Sequence, residues 1–106
     1  MKQEKRWILL QHTGDPNDPQ GIHFDLLLED NDGCRSWRLL KMPIPDGSAV
    51  KATLAPLHKL EWLERDNSEV SQGRGWAHRL IGGVYKGNLP VSNEAPISIE
   101  LHSATS

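Results

Sequence analysis

The chain has 106 residues, 37% of them apolar and 25% charged, with a formal charge of −2 and a single cysteine. That length suits one domain around one core, and the charge balance excludes the bulk basic excess behind tight, sequence-independent nucleic-acid binding, leaving room only for a local patch. No apolar run exceeds four residues, so a membrane-spanning helix is excluded, and Cys34 alone excludes an internal disulfide and Cys-rich zinc architectures.

In chain order, the start is charged through Arg6, and the apolar stretch after it is too short for the core of a signal peptide, so a cytoplasmic location is expected. Residues 6–11 form the first strand-like piece, and His12 closes it before the Gly- and Pro-rich stretch 14–21. Residues 22–29 and 34–40 are the next two, joined through Asn31-Asp32-Gly33. Asp-Gly suits a tight turn because glycine takes positive φ at little cost, so 22–40 is expected to be a hairpin.

A turn follows at 42–47. Over 54–65, Leu54, Leu57, Leu60 and Leu63 recur every three residues, a stripe compatible with a helix, while 57–63 also reads as a strand. Both readings stand. After a turn at 72–75 come strand-like 75–81, a Gly82-Gly83 turn, strand-like 97–101, and an end at 103–106 expected to fray. Short strands joined by close turns predict an all-β domain over 1–106: a small antiparallel β-barrel, closed or nearly so, with long loops, at most one short helix, and a monomeric state.

Chemistry concentrates at His23 and Asp25. Two residues apart on a strand, they point to one face and present an imidazole nitrogen beside a carboxylate, while Phe24, Leu26 and Leu28 face the other way. A strand histidine merely hydrogen-bonded to a carboxylate gives the same pattern, so a third ligand is required. His12, at the end of a neighbouring strand-like piece, is in position to be that ligand. Two histidines and a carboxylate suit manganese, iron or zinc with positions left open for water or a phosphate oxygen. His58 could be a fourth ligand or a positioned acid and phosphate contact. His78 and His102 have no metal-spaced partner. Among the four tryptophans, Trp62 lies four residues from His58 and is the candidate for base stacking. Arg74, between Gly73 and Gly75, is a candidate anion contact.

The segments Trp7-Ile8-Leu9-Leu10-Gln11-His12, His23-Phe24-Asp25-Leu26-Leu27-Leu28-Glu29, and Gly33 with Ser36-Trp37 resemble the 3′-phosphoesterase domain of bacterial end-joining ligase D. That family reads approximately Q-K-H, then L-H-Y-D-F-R-L-E, then D-G-x-L-x-S-W. A fainter likeness covers His58 with Trp62 and the stretch 71–75, where short stand-alone relatives carry a Gly-rich turn. The resemblance implies a small β-barrel with a manganese site that trims 3′-terminal ribonucleotides and removes 3′-phosphates. It implies His12, His23 and Asp25 as metal ligands, with zinc or iron as alternatives to manganese, and His58 as the phosphate contact. The partners it implies are nucleic-acid 3′ ends on DNA or an RNA–DNA primer, and a repair ligase or polymerase.

Two departures stand out. The family arginine after H-x-D is Leu27, and the family tyrosine after the later histidine is Trp62. Removing a group aimed at developing negative charge costs roughly two to three orders of magnitude in rate. Two other readings therefore remain: a non-catalytic module that binds a metal or a nucleic-acid end, and a cupin-like metal oxygenase built on His23, Asp25 and His58. The oxygenase reading requires His12 to lie away from the metal.

Overall fold

The computed structural model describes residues 4–44, 47–92, 95 and 97–103. The strands are β1 (Lys5–Thr13), β2 (Ile22–Asp30), β3 (Gly33–Leu39), β4 (Ala52–His58), β5 (Asn67–Glu69), β6 (Trp76–Lys86) and β7 (Glu100–Ser103), with one 3-10 helix at Leu60–Glu64. All pair antiparallel in one sheet of order β4-β3-β2-β1-β6-β5, with β7 also on β6. The all-β class is as expected. The expected closure is not: among the described residues β4 pairs only with β3 and β5 only with β6, so the sheet is open.

Trp7-Ile8-Leu9-Leu10, apolar at four consecutive positions, has the pattern of a strand covered on both faces, and it lies in the middle of the sheet. Its side chains alternate between two cores. Trp7 and Leu9 pack with Leu28, Leu39 and Tyr85 on one face. Ile8 and Leu10 pack with Leu27, Cys34, Leu63 and Ala77 on the other, which the 3-10 helix covers through Leu63. Burial of Cys34 pushes its thiol pKa up to about 11, so it is an inert core residue at neutral pH.

The hairpin over 22–40 forms, with Asp30 opposite Gly33 and a two-residue connection. The positive φ falls on Asn31, at 46°, rather than on Gly33, which already belongs to β3. Asparagine is among the residues that tolerate this region. The ambiguous stretch 54–65 is neither one helix nor one strand. It divides into the end of β4 and the 3-10 helix, and the strand expected over 97–101 instead runs Glu100–Ser103. Gly82-Gly83 is not a turn but lies inside β6, opposite Ile8 and Trp7. Residues 45 and 46 of the 42–47 turn and residues 104–106 of the expected frayed end lie outside the described residues.

Candidate metal centre and pocket

His12 and His23 are directly opposed across β1 and β2, and Asp25 follows two residues along β2. Opposed residues share a face, as do residues two apart, so the three side chains converge. One ligand atom from each lies within 4.8 Å of the others. His12 Nδ1 is 3.6 Å and His23 Nε2 is 3.4 Å from Asp25 Oδ2. The rings meet edge to face with centroids 4.5 Å apart. All three residues are buried, His23 completely.

The outer nitrogens decide what the inner ones can do. His12 Nε2 lies 2.6 Å from the Arg74 carbonyl oxygen, which can only accept, so Nε2 carries the proton and Nδ1 turns a lone pair inward. His23 Nδ1 donates to the Asp18 carboxylate at 2.9 Å, which leaves the Nε2 lone pair facing Asp25. That Nε2 is buried without a hydrogen-bond partner. In the neutral tautomers that these outer acceptors select, two lone pairs and a carboxylate oxygen face one another. Atoms held about 2.1 Å from a common cation stand roughly 3.0 to 3.4 Å apart, close to the 3.4 and 3.6 Å of the two imidazole–carboxylate pairs. The orphaned nitrogen, the donor set and the second hydrogen bond on each ring all fit a divalent metal. This buried group could hold a metal ion.

Backbone details hold the supports in place. Asp18 sits in an Asx turn, its Oδ1 accepting from Gln20 N at 3.0 Å. Its carboxyl is held below the usual carboxylate range, chiefly by the hydrogen bond from His23. The Arg74 carbonyl is set by Gly75, whose φ is +97°. A Cβ there would lie 2.0 Å from the Thr13 carbonyl oxygen, so only glycine allows the chain to pass this close to β1. Local sequence patterns reveal neither support. Asp18 lies in a loop where no periodicity assigns a face, and the Gly-rich turn matters for a carbonyl rather than a side chain.

His12 and Asp25 open into a cavity of about 470 Å³ that His58, Trp62 and Arg74 also line. Of the candidate site residues, His12, Asp25, His58, Trp62 and Arg74 line this one pocket, His23 is buried behind it, and His58 stands outside the group of His12, His23 and Asp25. His58 reaches it through a bulge. Cys34 opposes His58 but Ser36 opposes Ala55, so β4 carries one extra residue, and both Ala55 and His58 turn to the face of Cys34. His58 Nδ1 donates to the Pro56 carbonyl at 3.0 Å, leaving Nε2 unoccupied by that bond. Trp62 is enclosed by its neighbours, with Arg65 over its ring at 4.4 Å and His58 edge-on at 6.0 Å. With Arg65 over one face, less of the ring is free for base stacking, although Trp62 still lines the pocket. The Arg74 guanidinium turns back onto Ser71, so what it supplies to the centre is its carbonyl. Neither the models of known protein families nor the curated proteins include a match to this chain.

Proposed function

We propose that the chain is a metal-dependent phosphoesterase acting on nucleic-acid 3′ ends, a short relative of the ligase D 3′-phosphoesterase domain. The observation that carries this reading is the convergence of His12, His23 and Asp25, each imidazole backed by its own acceptor, at the floor of an open pocket that also contains His58. The resemblance makes manganese the first choice of metal. Bound there, a divalent ion supplies Lewis-acid polarisation of a phosphoryl oxygen and lowers the pKa of water.

The chain's own residues do the rest. Asp18 and the Arg74 carbonyl keep both imidazoles in the ligating tautomer, and burial excludes competing water from their outer edges. His58, its Nδ1 proton committed to Pro56, accepts from water at Nε2 when neutral and, when protonated, donates Nε2–H to a phosphoryl oxygen or passes that proton to the leaving oxygen. Trp62 fixes the ring in that attitude.

The test is a 5′-labelled primer ending in a 3′-phosphate or one ribonucleotide, incubated with manganese and the protein or its His58→Ala variant. Manganese-dependent end removal, slowed about 100-fold or more in the variant, is the expected result. An intact primer with manganese bound favours instead the binding module, a reading supported by Leu27 standing where the family has arginine. The oxygenase reading loses its support, since it requires His58 rather than His12 beside the carboxylate.

A further inference from the structure

The pocket carries three guanidinium groups, and their surroundings differ. Arg65 is engaged on every side: Nη2 lies 3.1 Å from Glu61, Nη1 donates to Ser68 Oγ at 3.2 Å, and the group covers Trp62. Arg74 donates to the Ser71 carbonyl at 3.0 Å and the Ser71 hydroxyl at 3.2 Å. Arg38 is different. Half-buried on β3, its guanidinium makes no hydrogen bond or ion pair among the described residues. It is the cross-strand partner of Asp25, so the two side chains leave the sheet on one face and into one pocket.

A guanidinium in this position has five donors in a planar fork, none of them in a hydrogen bond to a described residue. Asp18 feels the Arg38 charge, but its oxygens are engaged by His23 and Gln20, and Asp25 is turned to the two imidazoles. The other carboxylates lining the pocket, Asp15, Glu61 and Glu69, make no ion pair with Arg38 among the described residues. Arg38 lines the same pocket as His12 and Asp25, and a phosphoryl group bound there presents oxygens at the spacing that bidentate donors match. Leu27, two residues beyond Asp25 on β2, is completely buried in the core with Leu63 and does not line the pocket.

We propose that Arg38 binds the non-bridging oxygens of the phosphoryl group held over the metal centre and orients it for attack. The assignment rests on the phosphoesterase reading and adds to it the group that recognises charge. It is delivered from the neighbouring strand, across from Asp25 rather than beyond it on β2.

The experiment uses manganese-loaded wild type, Arg38→Gln and Arg38→Lys. Each is assayed for manganese affinity, for inorganic phosphate binding by phosphorus-31 line broadening, and for release of phosphate from a 3′-phosphorylated oligonucleotide. Arg38→Gln is expected to keep its manganese affinity, weaken phosphate binding by about 10-fold or more, and lose about 100-fold in kcat/KM. Arg38→Lys, which keeps the charge but not the fork, is expected to fall between the two and serves as the folded comparison if the glutamine variant does not fold. Wild-type phosphate affinity and turnover in folded Arg38→Gln, or in Arg38→Lys if only that variant folds, would overturn the assignment to Arg38 and leave the phosphoesterase reading intact. A wild type that binds manganese but neither broadens phosphate nor releases it would overturn both.

Discussion

Asp18 and the Arg74 carbonyl do the same work on opposite sides of the centre: each takes the outer imidazole proton so that the inner nitrogen has only a lone pair to offer. A buried polar atom left unsatisfied costs about 1 to 3 kcal/mol, so the bare arrangement around His23 Nε2 favours whatever satisfies it. Replacing the charged support should weaken that preference without removing the ligand. Asp18→Asn keeps an oxygen that accepts from Nδ1–H but loses the negative charge that makes the ring more basic. It is expected to lower manganese affinity by about 10- to 100-fold in a titration followed by electron paramagnetic resonance, with unchanged circular dichroism. Unchanged affinity would show that the Asp18 bond has no part in metal binding. The convergence of His12, His23 and Asp25 was legible because the i and i+2 spacing on a strand points at His23 and Asp25, and the resemblance adds His12. Their supports were not, because a loop carboxylate and a main-chain carbonyl leave no periodic trace.

At the scale of elements, two bulges and one glycine direct the strands. In β1–β6 pairing Leu9 opposes Ile81 while Leu10 opposes Arg79, so Leu80 is extra. The bulge changes parity, which lets Ala77 face the core on the side of His12 and Asp25 and Tyr85 the opposite core although both have odd numbers. Such parity changes are invisible to a count of alternation. The three-residue leucine stripe over 54–65 is similarly split: Leu60 and Leu63 do share a face, as a 3-10 helix of three residues per turn requires, whereas Leu54 and Leu57 belong to an edge strand and are exposed. Gly75 gives the sharpest test at this scale. Gly75→Ala places a methyl against the Thr13 carbonyl at a position of φ +97°, so the loop must move and take the Arg74 carbonyl away from His12. The variant is expected to lose about 1 to 3 kcal/mol in urea unfolding and to bind manganese more weakly. Wild-type stability and affinity would contradict the role assigned to this turn.

For the whole molecule, one sheet separates two cores, and its openness is a long-range property. Closure depends on whether β4 finds a partner at the other end of the sheet, and no local pattern encodes that; the all-β class, by contrast, follows from strand-like pieces and turns present throughout the chain. Tyr85 reports on the second core because it is the chain's one tyrosine, buried with its hydroxyl donated to the Glu29 carbonyl. Burial, with Asp30 and Glu29 nearby, pushes its pKa up to about 12. An unfolded tyrosine ionises near about pH 10, so above that the unfolded chain releases a proton that the folded chain retains. The stability contributed by the neutral phenol is whole below about pH 10 and is lost as pH rises toward 12. Phenolate absorbance is therefore expected to lag in the native protein and to appear near about pH 10 in denaturant. Ionisation near pH 10 with native circular dichroism would contradict this packing.

The central claim is that His12, His23 and Asp25 together hold a divalent metal, and direct binding of manganese tests it most simply. Wild type, His23→Ala and Asp25→Asn would be titrated with manganese by electron paramagnetic resonance, with circular dichroism confirming that each is folded. One ion per chain in the wild type, with affinity reduced about 100-fold or more in either folded variant, is the result required. Binding that is absent from the wild type, or that survives both substitutions unchanged, would contradict it.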